Sequence, residues 1–309
     1  MTPPHRDTSV GAPGSSLRQL IATRVGERRA VVVPGAANAL SARIIEDLGF
    51  DAVYVTGAGV TNMYLGLPDM GFLSLTQLAE HTAAIREAVS LPLIVDADTG
   101  FGNALSVRHA IRALHRAGAN AIQIEDQVSP KRCGHFEGKA VIPTAEMQGK
   151  IRAAVDARAS EELLIIARTD ARAVEGFDSA RDRAAAYIDA GADITFLEAP
   201  ESVDEMRRIP KLLAVPQVVN MVVGGKTPIV DAAELSKMGF AIVLYANVAL
   251  QGAILGMQNA LRELKQRGRL DESSSSVVSF AERQRLVRKV AIDELESKYA
   301  TEAAKTPLD

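Results

Sequence analysis

Cysteine is nearly absent. A single thiol, Cys133, in 309 residues excludes an intrachain disulfide framework, so packing must hold the chain together and the lone thiol becomes a residue to follow. Long apolar runs are missing as well. No stretch approaches the roughly 20 residues that cross a bilayer as a helix, and the N-terminus lacks an apolar segment followed by a cleavage site. The expectation is a cytoplasmic protein without a membrane partner. Nor does charge of one sign dominate: the formal net charge is -3, the pI is near 6.0, and basic residues are scattered. That removes the electrostatic basis for binding nucleic acid. Finally, no glycine-rich phosphate fingerprint follows the first apolar run, which argues against a doubly wound nucleotide-binding sheet.

What is present is a repeat. The chain is 47% hydrophobic and 24% charged, enough to bury a large core. Eight short, largely β-branched runs recur: 30–33, 52–55, 93–95, 121–124, 163–167, 194–197, 218–220 and 241–244. Helical spacing fills the intervals, as in Leu40, Ile44, Ile45 and Leu48, or Val107, Ile111 and Leu114. Four of these helices run into the next strand through a near-repeated phrase whose glycine is Gly49, Gly118, Gly191 or Gly239. A glycine just past a helix end closes it in the left-handed conformation without a Cβ penalty. Strands that are apolar throughout need cover on both faces, so eight such units predict an α/β fold, a (β/α)8 TIM barrel over 17–268. Residues 1–16, rich in Pro, Gly, Ser and Thr, read as a flexible tail. Residues 269–309 read as an appended helical extension that packs on its own barrel or on a neighbouring subunit.

In such a barrel, chemistry gathers at the C-terminal ends of the strands. The polar residues at the ends of the eight runs are Asn38; Tyr54 with Thr56, Gly57 and Ala58; Asp96 and Asp98; Glu125 and Asp126; Arg168 and Asp170; Glu198; Asn220; and Tyr245. Asp96, Asp98 and Glu125 offer oxygen ligands only, which suits Mg2+ or Mn2+ and disfavours zinc. The alternative use of Asp98 or Asp126 is to cap a following helix. Two loops stand out. One, 65–71, uses Pro68 and flanking glycines to present Asp69; the other, 129–139, carries Lys131, Arg132, Cys133, Gly134, His135 and Lys139 between glycines. Its cations suit an anionic substrate and its glycines permit closure over a site.

These segments, Asp96 to Gly102, Ile124 to Gln127, Lys131-Arg132-Cys133-Gly134-His135, Ala167 to Asp170 and Leu65 to Asp69, resemble the isocitrate lyase / phosphoenolpyruvate mutase superfamily. The likeness spans about 17–268 and leans toward the short-chain methylisocitrate and dimethylmalate lyases. It implies a barrel whose eighth helix is exchanged between subunits of a homodimer or homotetramer. It implies Mg2+ held by Asp96 with Asp69, Asp98 and Glu125 in support, mostly through water. Thr56, Gly57 and Ala58 would bind a keto-acid moiety, Arg168 and Glu198 would lie near the reacting oxygens, Asn220 toward the second product, and Lys131, Gly134 and His135 at the substrate. Tyr54 would take the hydroxyl proton of a 2-hydroxy dicarboxylate and Cys133 would act as the acid. Three positions depart from the pattern: Phe136 after the Cys-Gly-His, Val223 where relatives often have Glu, and Ala246 after Tyr245 where many have Pro. Phe136 and Val223 point to a small alkylated malate, and Ala246 leaves open oxaloacetate hydrolysis or decarboxylation; the further alternatives are a carboxyphosphonoenolpyruvate phosphonomutase and a non-catalytic Mg2+-dicarboxylate binder.

Overall fold

A computed structural model describes residues 16–134 and 138–300. Eight strands, β1 (Val31–Ala36), β2 (Val53–Val55), β3 (Leu93–Asp96), β4 (Ala121–Glu125), β5 (Leu164–Thr169), β6 (Ile194–Leu197), β7 (Gln217–Asn220) and β8 (Ile242–Tyr245), form a closed barrel in sequence order. Every pair is parallel, and β8 returns to β1 with Val31 beside Ile242 and Val33 beside Leu244. The (β/α)8 barrel expected from the repeat is the fold. All four joining glycines take positive φ, 81° at Gly49 and 102–106° at Gly118, Gly191 and Gly239, the conformation that a Cβ would oppose.

The helices are α1 (Leu17–Gly26), α2 (Ala39–Asp47), α3 (Gly57–Val60), α4 (Leu75–Ala88), α5 (Ala104–Arg116), α6 (Thr144–Ala157), α7 (Arg172–Glu175), α8 (Phe177–Asp189), α9 (Val203–Leu212), α10 (Ala232–Met238), α11 (Val248–Arg267), α12 (Phe280–Leu286) and α13 (Lys289–Tyr299). Side-chain caps set most of the starts: the Ser74 hydroxyl accepts from Gln77 N, and the Gln77 side chain returns the bond to Ser74 N, satisfying two donors that the first turn leaves open. The segment after β2, read from sequence as loop, begins instead with α3 and a π-helical turn, Thr61–Leu65.

Strand residues alternate between two cores. Val33, Tyr54, Ile94, Ala121, Ile166, Phe196, Val218 and Leu244 fill the barrel interior, and Leu17 and Ile21 of α1 pack with them and close its N-terminal end. Each Val, Leu, Ile or Phe among them contributes about 1.5–3 kcal/mol when fully buried. The outward residues meet helices α2–α6 on one side and helices α8–α10 on the other.

Residues up to Leu250 form one compact unit and those from Gln251 onward a second, so this boundary falls inside α11. Within the second unit Glu263 accepts from the hydroxyls of Ser274 and Ser276. Much of its apolar surface is bare: Leu255 is 59% exposed, Leu261 64% and Val290 69%.

Candidate active site

The two-residue period of a strand sends alternate side chains inward, and the functional residues continue the inward stripes. Ile94 is followed by Asp96, Gln123 by Glu125, Ile166 by Arg168, Phe196 by Glu198 and Val218 by Asn220. Together with Tyr54, Thr56, Ala58, Asp69, Cys133 and Gly134, most of these line one cavity at the C-terminal mouth. It leaves about 30 Å³ free, room for one or two waters and not for a dicarboxylate.

Asp96 and Asp98 meet at Gly57. A Cβ there would lie 3.3 Å from Asp96 Oδ2 and from Asp98 Oδ1, so the glycine leaves the two carboxylates a shared space. Asp98 sits at φ 48°, an uncommon conformation for a residue with a side chain. It is fixed there by its own N–H donating to Asp96 Oδ1 at 3.2 Å and by its carbonyl accepting from Glu125 N at 2.9 Å. Asp98 is therefore no helix cap; Asn103 caps α5. Burial, with Asp96 and Asp69 close by and only Lys131 opposing, raises Asp98 to about 6. Glu125 is driven well above its usual range, first by burial, and its Oε1 has no hydrogen-bond partner.

Lys131, expected at an anionic substrate, contacts two of the acids. Its ammonium lies 2.5 Å from Asp69 Oδ1 and 2.9 Å from Asp98 Oδ1. Burial works against its charge, but Asp98, Glu125 and Asp69 outweigh burial and keep it protonated. Among the described residues, no three Asp, Glu, His or Cys side chains are gathered as a ready metal cage. Of the four acids expected around one cation, Asp69 and Asp98 pair with Lys131, and Glu125 lies against Arg168. They still fit such a cation: the cluster is oxygen-only, crowded with negative charge, and includes a buried oxygen without a partner.

Arg168 organises the opposite side. Its guanidinium donates to both oxygens of Asp170, at 2.9 and 3.1 Å, lies 3.3 Å from Glu125 Oε2 and 3.6 Å from Glu198 Oε2, and stacks 5.4 Å above the Phe196 ring. Burial opposes the charge on Asp170, yet Arg168 and Lys139 bring it down to about 2. Tyr54 is 3% exposed. Burial and then Asp96 push its phenol well up, with Arg168 pulling the other way, so it is a hydrogen-bond donor as it stands, and the base role expected of it needs added positive charge.

Loop 129–139 leaves the barrel from a stapled base, where Val128 N donates to Ala140 O and Ile142 N to Asp126 O, each at 2.8 Å. The Gln127 side chain bonds the Arg132 backbone in both directions, at 2.8 and 2.9 Å. Cys133 is half-buried, and Gly134 packs so closely that a Cβ would lie 2.5 Å from Arg168 Nη2 and 2.8 Å from Glu198 Cγ. His135 lies outside the described residues.

Three residues of the expected ring do not belong to it. The Asn38 side chain caps α2. Asp126 faces outward and accepts from Thr169 Oγ1, Tyr187 Oη and Asp170 N at 2.7–2.9 Å, a structural anchor. Tyr245 packs with the outer core. Conversely, Asn247 and Val222 line the cavity and were not expected there; Ala246, noted from sequence as a departure after Tyr245, lines it too. The period-two stripe from Leu244 carries the signal for Ala246.

Known proteins share this arrangement of strands and much of the sequence that builds it. Residues 22–265 match the family described as phosphoenolpyruvate phosphomutase, and the chain is 42% identical over 287 residues to 2,3-dimethylmalate lyase of Eubacterium barkeri, covering 93% of this chain and 98% of that one. The chain belongs to the phosphoenolpyruvate mutase/isocitrate lyase superfamily. A second superfamily relative, 2-methylisocitrate lyase of Aeropyrum pernix, is 45% identical over 256 residues, 83% of this chain and 81% of the relative. Among solved superfamily structures, a phosphonopyruvate hydrolase in complex with oxalate and Mg2+ superposes with a TM-score of 0.80 at 31% identity, covering 91% of this chain and 97% of that one. The superfamily thus has a member that holds Mg2+, and no helix among the described residues here is long and apolar enough to cross a membrane.

Proposed function

We propose that the protein is a Mg2+-dependent carbon–carbon lyase that cleaves a 2-hydroxy dicarboxylate, of the 2,3-dimethylmalate or 2-methylisocitrate type, to pyruvate and a second carboxylate. One observation carries the reading: the loop thiol Cys133 and the acids Asp69 and Asp96 line the same cavity as Arg168, Glu198 and Asn220. The names of the two similar lyases support it.

Asp96, with Asp69, Asp98 and Glu125 in support, would hold Mg2+, or Mn2+ in its place. When bound, the cation supplies stabilisation of negative charge on the substrate oxygens. Everything else falls to the chain. Tyr54 holds the 2-hydroxyl by a hydrogen bond and takes its proton once positive charge in the filled site favours the phenolate. The C2–C3 bond then breaks, its electrons pass to C3 and its carboxylate, and Arg168 stabilises the charge that develops. Cys133 delivers a proton to C3. Thr56, Gly57 and Ala58 bind the keto-acid half; Asn220, Glu198 and Gly134 face the leaving half. The free volume requires the Lys131–Gly134 segment to open for substrate.

A second reading, hydrolysis of a 2-keto dicarboxylate such as oxaloacetate, is favoured by one feature: the carboxamide oxygens of Asn220 and Asn247 are both buried without a partner on the cavity wall, where they suit an attacking water. Incubation with 2,3-dimethylmalate, 2-methylisocitrate, isocitrate and oxaloacetate, with and without Mg2+, separates these. Pyruvate from neither of the first two removes the lyase reading, and keto-acid binding without turnover of any leaves a binding protein. Replacing Cys133 by Ser is expected to lower turnover by about two orders of magnitude or more with ligand affinity retained.

The proposed partner of the bare apolar surface from Gln251 onward is a second copy of the chain, exchanging α11 in a homodimer or homotetramer. Light scattering on a Leu255→Asp, Leu261→Asp variant should report a smaller particle than wild type.

A further inference from the structure

Lys139 lies six residues beyond Cys133, and its side chain is only 2% exposed. Its ammonium donates to the Gly134 carbonyl and, at 2.8 Å, to Asp170 Oδ1. Burying an ammonium is unfavourable unless it is paired and hydrogen-bonded, and Asp170 already has a counter-charge: Arg168 grips both of its oxygens. Arg168 is shared with Glu125 and Glu198, so Lys139 also helps to balance the three acids. What it adds beyond charge is a link, from a carboxylate anchored just past β5 to the backbone of the loop.

The link lands on the residue that governs how deep the loop sits. Gly134 rests against Arg168 Nη2 and Glu198, with no room for a Cβ, while Lys139 holds its carbonyl from the other direction. Cys133, one residue earlier, is carried with it to the cavity wall. Among the described residues, the contacts from Gln127 to Arg132 and from Lys131 to Asp69 and Asp98 lie on the N-terminal side of the thiol. Lys139 is the described anchor on the C-terminal side.

We propose that Lys139 is a positioning residue: by tying the Gly134 carbonyl to Asp170 it seats the Cys133 thiol over the cavity in the closed loop. The thiol's catalytic role rests on the lyase reading above; the seating does not, and the test separates the two.

Because the chain has one cysteine, alkylation by iodoacetamide reports on Cys133 alone. The full-length K139M variant should alkylate about tenfold faster than wild type or more, as expected for loss of a charged hydrogen bond that holds the closed loop. With whichever substrate turns over, kcat should fall about 10- to 100-fold, the scale of a small misplacement of a reacting group, while KM moves less than kcat. K139R should restore part of both. A folded K139M that alkylates at the wild-type rate overturns the proposal. So does K139M with kcat and KM unchanged. If K139M does not fold, K139Q, which keeps a donor for the carbonyl but loses the charge, carries the same comparison. Faster alkylation in a protein that turns over none of the panel leaves the seating intact and sinks the lyase reading alone.

Discussion

Two carboxylate clusters at the barrel mouth are each held by a lysine of the same loop, and they are electrostatic opposites. Around β3, Asp69, Asp96, Asp98 and neighbouring Glu125 face the Lys131 ammonium, and burial drives Asp98 up to about 6. Around β5, Asp170 faces Arg168 and Lys139 and is brought down to about 2 against its burial. One cluster is short of positive charge, the other has it in full. The lesson is that an acid's burial does not by itself say whether it waits for a ligand; the count of opposing cations does. On the proposed reading, the β3 cluster would receive a cation, and the β5 cluster would hold the loop.

The strongest way to break this contrast is at Arg168, which serves Glu125, Asp170 and Glu198. Arg168→Met should cost about 3–5 kcal/mol in urea unfolding, as for other buried pairs robbed of one partner; a loss below about 1 kcal/mol would mean that the acids are not held by it. Saturating Mg2+ comes next. At a concentration of about 100 times Kd it should stabilise the wild type by about 2.7 kcal/mol in thermal melts, and Asp96→Asn should abolish the shift. Smaller, and more telling, are two matched amide substitutions with opposite signs. Without metal, Asp170→Asn should lose about 2 kcal/mol, since it discards a carboxylate stabilised in the folded state, whereas Asp98→Asn should gain about 1–2 kcal/mol by relieving repulsion. Equal signs would erase the distinction between the clusters.

The smallest expected effect is in pH. Asp98 is raised from 3.8 to about 6 in the folded protein, so its charged form is disfavoured by folding; its penalty is full above pH 6 and fades as pH falls toward 4. Asp170 is lowered from 3.8 to about 2, so its contribution is full above 3.8 and is lost only as pH falls toward 2. The metal-free protein should therefore melt higher at pH 5.5 than at pH 7.5 as far as these groups are concerned. That rise should shrink in Asp98→Asn and persist in Asp170→Asn, as differential scanning calorimetry will show.

The barrel was legible because its signals are local and repeated: apolar strands, helical spacing and four glycines at the same join. The strand-end acids were legible as a set, and less so one by one. Asp126 and Tyr245 are neighbours in sequence of inward-facing Glu125 and Leu244, and a list of strand-end residues does not separate them. The two-residue period does, once the strand's register is known. The contacts of Lys131 with Asp69 and Asp98 could not be read from its motif, because both acids are distant in sequence. Lys139 was legible only as one of the loop's cations, because its contacts with the Gly134 carbonyl and Asp170 are made in the folded chain. From sequence, 251–268 read as barrel and 269–309 as an extension packing on its own barrel or on a neighbouring subunit, because periodicity says which face is apolar and not what covers it.

The stopper formed by Leu17 and Ile21 of α1 at the floor of the barrel makes the site a blind well with one doorway. Whichever fragment of a cleaved molecule lies deeper must wait for the shallower one to depart. If the keto-acid half sits on the acids of β3, as proposed, it is the last to leave, and added pyruvate should compete with substrate for the empty well while the other fragment inhibits noncompetitively.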